Sequence, residues 1–329
     1  MKELLRNTIL TGDAVSVLSE LPEASVDCVV TSPPYYQLRD YGTAGQLGLE
    51  PTVDGWVEGL RLVARQAARV LKPSGAFWLN LGDSFSRHER FGVPPKGLLL
   101  APERLALALA RDGWLLRNKV IWAKTNPMPS SIRDRLTLTW EVLYLLVRSP
   151  NYYFDLDAIR EPHTTASARS GRAPLGKRPD WAGPLAGSQD GLRRARAVGT
   201  PGHPLGKNPG DVWRIATRGF KGAHFATFPP ELIRRPILAT CPPLVCSDCG
   251  KAWAPISRHG EGPAGPVCRF AASPRPGLVL DPFFGTGTVG LVAEQLGRDW
   301  LGIELKGEYV ELARQRLGLT AEAELEAVA

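Results

Sequence analysis

Apolar residues recur along this chain in two rhythms. Continuous runs, Val26-Asp27-Cys28-Val29-Val30 and Gly277-Leu278-Val279-Leu280, read as buried parallel strands. Residues 76–81, 118–123 and 300–304 read as further strands, and residues 7–10 as a shorter one ending at Gly12-Asp13. Between the strands, apolar positions fall at helical spacing. One helix runs through Leu18, and another spans 57–71 and stops at Lys72-Pro73-Ser74-Gly75. Others span 102–111, 229–239, a stretch ending at Leu296, and 308–317. Residues 140–147 and Tyr152-Tyr153-Phe154 read as a β-hairpin joined through Ser149-Pro150-Asn151. Residues 36–50 show no period and read as a loop over a crevice, and from about 158 to 210 the pattern gives way to Gly, Pro, Ser and Arg. Alternating strands and helices predict an α/β fold with a doubly wound, mainly parallel sheet.

Two strand-end motifs carry candidate chemistry. Thr31-Ser32-Pro33-Pro34-Tyr35 follows the first buried run, and Asp281-Pro282-Phe283-Phe284-Gly285-Thr286-Gly287-Thr288 follows the second. Ligands of open α/β sheets bind at the carboxyl ends of strands, so both motifs point at one crevice. In Gly285-Thr286-Gly287-Thr288-Val289-Gly290, glycines allow a tight turn and close backbone approach to a ligand, at a helix N-terminus with unpaired amides. Glu304, nineteen residues after Gly285, ends the next strand where a carboxylate can accept from both ribose hydroxyls. These features suit a nicotinamide dinucleotide as well as S-adenosylmethionine.

Together the two motifs resemble the amino-methyltransferases of DNA, and their order, base motif first and cofactor motif last, resembles the β group of that family. The resemblance implies a Rossmann-like, circularly permuted methyltransferase fold that uses S-adenosylmethionine. It assigns cofactor contacts to Asp281, Phe283, Gly285, Gly287, Thr288 and Glu304. It adds Asp13, which fits equally as a helix N-cap, and Phe225, Thr227 and Phe228 from the segment before the first cofactor strand. Ser32, Pro33, Pro34 and Tyr35 become the catalytic group. An exocyclic amine is a poor nucleophile, and Ser32 Oγ and the Pro33 carbonyl can accept its hydrogens while Tyr35 stacks on a flipped base. Within the family a Ser at the first motif position leans toward cytosine-N4 and an Asp toward adenine-N6. The expected function is therefore site-specific cytosine-N4 methylation of duplex DNA. Adenine-N6 methylation is the alternative, ahead of an oxidoreductase using Gly285, Gly287 and Gly290 or a non-catalytic DNA-binding protein.

Charge adds a partner. The net charge is +7, and residues 160–221 hold twelve Lys/Arg against four Asp/Glu, leaving the remainder near −1. Such a segment suits the phosphates of double-stranded DNA. It sits where the family carries target recognition, so Arg169, Arg172, Lys177, Arg178, Arg193, Arg194 and Arg196 are expected DNA contacts, with Arg39 and Lys124 beside the crevice. The expected division is 1–157 catalytic half, 158–220 target recognition and 221–329 cofactor half, with a Cys-rich insertion at about 244–274. Cys246-Ser247-Asp248-Cys249 is knuckle-like, Cys268 follows nineteen residues later, and Cys241 or His259 completes a structural Zn2+ site.

Exclusions narrow the field. No Pro-Cys pair is present for a cytosine-C5 nucleophile, and Cys28 lies in an apolar strand, where packing suits it better than reactivity. No Gly-x-Ser-x-Gly or Walker sequence occurs. No apolar run approaches the ~20 residues of a membrane span, and the opening Met-Lys-Glu-Leu-Leu-Arg lacks a signal-peptide core. The expectation is a cytoplasmic protein without a membrane partner, and the family adds a cognate restriction endonuclease as a possible companion.

Overall fold

The structure, a computed structural model, describes residues 4–163, 205–218, 228–253 and 273–319. Two compact units emerge, one formed by Met1–Asp155 with Asp211–Ala329 and the other by Leu156–Gly210. In the smaller unit, Arg160 Nε donates to Asp157 Oδ1 at 2.6 Å, and Glu161 and Lys207 exchange backbone hydrogen bonds.

The larger unit opens with strands β1 (Thr8–Thr11), β2 (Val26–Thr31), β3 (Leu71–Leu81), β4 (Leu115–Lys124), β5 (Trp140–Val147) and β6 (Val212–Ile215). A separate antiparallel ribbon follows, β7 (Leu244–Cys246) with β8 (Pro274–Pro276), and then β9 (Leu278–Asp281) and β10 (Asp299–Glu304). All but the ribbon form one eight-stranded sheet in the order β1-β10-β9-β2-β3-β5-β4-β6. Every pairing in it is parallel except those of β5, which runs against both β3 and β4. The C-terminal strands β9 and β10 thus sit between the N-terminal β1 and β2, the permuted order expected. Alternation along the strands feeds two cores. Val29, Phe77, Leu79, Leu278 and Leu280 face one apolar cluster, and Cys28, Val30, Trp78 and Val279 face the other. The first is covered by α1 (Ala14–Glu20), α2 (Val53–Val70) and α3 (Ala101–Arg111). The second is covered by α4 (Pro230–Thr240), α5 (Thr288–Gln295) and α6 (Gly307–Leu317).

The expected hairpin is corrected. Both edges of β5 are already occupied by β3 and β4, so Tyr152-Tyr153-Phe154 has no strand to pair with, and the Tyr153 amide donates to the Ser74 carbonyl at 2.8 Å. The helix stops where expected, α2 ending at Val70 with Leu71 as its cap, and β3 begins at once rather than at residue 76. The ribbon β7–β8 precedes β9, within the stretch expected to be Cys-rich. It is tied to the main sheet by a buried lysine: Lys72 Nζ donates to Asp27 Oδ1 at 2.6 Å and to the Gly250 carbonyl at 3.0 Å. Among the described residues no helix is long and apolar enough to cross a membrane.

Candidate active site

The carboxyl ends of β2, β9 and β10 meet around one pocket. Its wall includes Asp13, Ser32, Pro34, Phe228, Asp281, Phe283, Gly285, Thr288 and Glu304. The aperiodic stretch after β2 contributes Tyr41, Thr43, Gln46 and Leu47, and Lys306 Nζ holds it by donating to the Tyr41 carbonyl at 3.1 Å.

Three carboxylates give the pocket its character. Asp13 caps α1, its Oδ1 accepting from the Ser16 amide at 2.9 Å, while also lining the pocket. Asp281 is nearly inaccessible, at 2% exposure. Its Oδ1 accepts from Thr31 Oγ1 at 2.6 Å and from the Phe283 amide at 3.0 Å. Burial nonetheless pushes its carboxyl up to about 7. Glu304 accepts from the Gly285 amide at 2.8 Å through Oε2 and from the Lys306 amide at 2.9 Å through Oε1. Burial raises its carboxyl as well.

The glycine turn is shaped differently from the expectation. Gly287 has φ +77 and caps α5, but a Cβ there would meet Leu317, Phe284 and Ala313 at 3.1–3.3 Å, and Gly287 is not part of the pocket wall. Gly287 packs against Phe284 and α6, whereas Gly285 lines the pocket. Phe284 explains the crowding: its ring stacks on Trp300, with centroids 5.0 Å apart, and lies over Gly302, where a Cβ would fall within 2.4 Å. Thr288 lines the pocket, and its Oγ1 accepts from Arg316 at 2.9 Å. The same guanidinium nitrogen reaches the Thr286 carbonyl and hydroxyl at 3.1 and 3.0 Å. Sequence reasoning missed Arg316, which pins the turn from α6.

At the other end of the pocket, the two prolines hold Ser32 to Tyr35 extended. Pro33 faces the apolar core side, and the Pro34 carbonyl accepts from the Trp56 indole at 2.9 Å. Among the described residues no hydrogen bond reaches the Pro33 carbonyl, which leaves it free to accept. Tyr35 is fixed more firmly than sequence suggested. Its hydroxyl donates to Glu141 Oε2 at 2.7 Å, lies 3.0 Å from Asn80 Oδ1, and accepts from Ser32 Oγ at 3.2 Å. A phenol has one proton, and the nearer, charged acceptor takes it. Burial first, and Glu141 second, raise the Tyr35 hydroxyl well above its ordinary range, so it stays protonated. Gly82 makes room for the ring, since a Cβ there would fall 2.6 Å from it. Lys124 Nζ in turn donates to Glu141 Oε1 at 2.5 Å. Glu141 and Asn80 were not foreseen. The available signal was a lone carboxylate inside the apolar run from Trp140 to Val147.

Other expectations separate. Arg39 lies in the stretch over the pocket, its carbonyl accepting from Gln46 at 3.4 Å. Phe225, Thr227, Arg169, Arg172, Lys177, Arg178, Arg193, Arg194, Arg196, Cys268 and His259 lie outside the described residues. Cys246 and Cys249 do form a tight turn, with the Gly250 amide donating to the Cys246 carbonyl at 2.9 Å. Cys241 is not with them. It closes α4 fully buried in the core, where burial raises its thiol, and the described cysteines form no group able to hold a metal. Cys28 is likewise packed, its thiol pushed up to about 12 by burial.

Comparison with known proteins shows the family. The family model N6_N4_Mtase, DNA methylase, matches residues 26–315. Type II methyltransferase M.Cfr9I of Citrobacter freundii is 36% identical over 96% of this chain and 89% of its own length. Type II methyltransferase M.XycI of Xanthomonas campestris pv. cyanopsidis is 37% identical over 94% of this chain and 87% of its own length. Among solved structures, the PvuII DNA methyltransferase (cytosine-N4-specific) shares the fold with a TM-score of 0.58 at 19% identity, covering 97% of this chain and 89% of that one. A DNA modification methylase of Thermus thermophilus, complexed with S-adenosyl-L-methionine, shares it with a TM-score of 0.54 at 23% identity, covering 94% and 93%. The chain belongs to the N6_N4_Mtase family of DNA methylases.

Proposed function

We propose that this protein transfers a methyl group from S-adenosylmethionine to the exocyclic N4 amine of cytosine at a specific site in duplex DNA. The observation that carries the choice of base is Ser32, a hydroxyl rather than a carboxylate, at the head of the motif and lining the pocket that also holds Asp281 and Glu304.

The pocket suits a cationic cofactor better than a dinucleotide. Asp13, Asp281 and Glu304 line it together, and the Gly285 amide is already committed to Glu304 rather than left for a pyrophosphate. Glu304 would hold a ribose, Asp281 an ammonium, and Phe228 and Phe283 the apolar walls. Bound there, S-adenosylmethionine supplies an electrophilic methyl group.

The chain's own residues prepare the amine. Because Ser32 donates its proton toward Tyr35, its lone pairs are left to accept from the target amine. The Pro33 carbonyl is a second acceptor, and both favour the pyramidal nitrogen that the transition state requires. Proximity and alignment supply the rest, without a covalent enzyme intermediate. Residues 158–220 would provide target recognition. A restriction endonuclease cutting the same sequence is the expected companion, in keeping with the type II relatives.

Sequencing of methylated positions in DNA from an expressing host tests this reading. A single recognition sequence carrying N4-methylcytosine is expected. Methylation confined to adenine would replace the proposed base, and unmodified DNA from an active preparation would refute the activity.

A further inference from the structure

Two connections at the carboxyl end of the sheet are not used by the chemistry above. Residues 82–98 follow the end of β3, and residues 125–139 follow the end of β4. Both strands run in the direction of β2, so both connections rise at the sheet edge that carries Ser32. The one after β4 springs from the site itself, since Lys124 and Glu141 flank it and Glu141 holds Tyr35.

This connection is anchored on several sides. The Thr217 amide donates to Asn126 Oδ1 at 2.6 Å, and Asn126 Nδ2 returns a bond to the Thr217 carbonyl at 3.1 Å. The Arg135 guanidinium stacks 3.4 Å from the centre of the Phe85 ring, and Lys96 pairs with Asp134 at 2.7 Å. Despite these anchors, Leu136 is 91% exposed and Met128 88% exposed, whereas the next most exposed large apolar side chain among the described residues, Leu107, is at 62%. The same two connections carry more exposed cations than carboxylates, Arg87, Arg90, Lys96 and Arg133 against Glu89 and Asp134.

Isolated apolar side chains on a fixed base, set among cations, suit a nucleic acid better than the charge-depleted core of a protein interface. The need for such a device follows from the pocket. A base can reach Ser32 only after leaving the helical stack, and that departure costs a few kcal/mol. Leu and Met are among the side chains that enter base steps as wedges.

We propose that Leu136 and Met128 form a wedge that enters duplex DNA beside the extruded target, with Arg133 and its neighbours holding the adjacent phosphates. The inference rests on the reading of the chain as a base-flipping amino-methyltransferase, and the occupant is duplex DNA.

The test compares Leu136→Ser, Met128→Ser and the double variant with the wild-type chain in single turnover at saturating S-adenosylmethionine. Two duplexes carry the unmodified target site, one fully paired and one with the target base opposite an abasic position. With thermal stability unchanged, the double variant is expected to be roughly tenfold or more slower on the paired duplex and within about twofold of wild type on the opened one. Wild-type rates on the paired duplex would overturn the proposal and leave the pair to a protein surface. Equal losses on both duplexes would also overturn it, because the pair would then serve contact rather than opening. If the wild-type chain methylates neither duplex, the functional reading falls, and the wedge with it.

Discussion

The hydroxyl of Tyr35 donates to the carboxylate of Glu141 at 2.7 Å, joining the base motif to the start of the only reversed strand in the described sheet. The bond does two things. It fixes the plane of the Tyr35 ring against Gly82, and it leaves the Tyr35 oxygen to accept from Ser32. Glu141 is thereby a positioning residue for the motif.

Tyr35→Phe keeps the ring and removes the link, and Glu141→Gln keeps the shape but weakens the acceptor. Each is expected to lower kcat by about 10- to 150-fold, the equivalent of one hydrogen bond to a charged group, with little change in cofactor affinity. The double variant should cost little more than either single change, because both act on one bond. Additive losses in steady-state kinetics would show that the two residues act separately.

Asp281 makes cofactor affinity and stability respond oppositely to pH. Its carboxyl titrates at about 7, held up by burial against the bonds from Thr31 and Phe283. An unfolded aspartate titrates near pH ~3.9, so between those values the folded chain binds more protons and stability falls as pH rises. Asp281→Asn is expected to raise stability at pH 8 by about 1–3 kcal/mol, with the gain fading toward pH 5. In the wild-type chain, S-adenosylmethionine affinity should rise between pH 6 and pH 8, and in the variant it should be weak and flat. Parallel pH profiles from calorimetric titration would remove Asp281 from the ligand.

Gly287 tests packing against ligand approach. Alanine there meets a left-handed backbone and three apolar neighbours at 3.1–3.3 Å. Gly287→Ala should lose about 1–3 kcal/mol of stability. Cofactor affinity in the surviving folded fraction should change little. A normal melting temperature with abolished binding would return Gly287 to the ligand.

The buried pair Lys72–Asp27 should tie the ribbon β7–β8 to the sheet, since Lys72 also reaches Gly250 and Asp27 Oδ2 accepts from the Leu278 amide at 3.0 Å. Lys72→Met leaves a buried carboxylate without its counterion and is expected to cost about 3–5 kcal/mol. Denaturant unfolding of the variant measures it, and a loss below about 1 kcal/mol would show the pair to be dispensable.

Much of this molecule was legible because its central strands are buried on both faces, which writes β9 as an apolar run and β2 as one interrupted only by Asp27 before its closing Thr31. The motifs at their ends then had one place to go. What stayed hidden depended on distant partners. β6 has four residues beside a low-complexity stretch, and it exists because Trp213 packs beside Trp78 and the strand pairs with β4. Tyr152-Tyr153-Phe154 has the composition of a strand, but β5 had no free edge for it. Arg316 and Glu141 are ordinary surface types in sequence, and only the fold carries them to the turn at Thr286 and to Tyr35. Cys241 looked like a ligand by spacing, yet the end of α4 turns it into the core.

The central claim is tested most directly by the identity of the methylated nucleoside. The purified chain is incubated with S-adenosylmethionine labelled in its methyl group and duplex DNA carrying its site, and the DNA is digested to nucleosides for mass spectrometry. Label is expected in N4-methyldeoxycytidine, with a sharp loss of it in Ser32→Ala while cofactor binding persists. Label in N6-methyldeoxyadenosine, or an undiminished yield from Ser32→Ala, would contradict it.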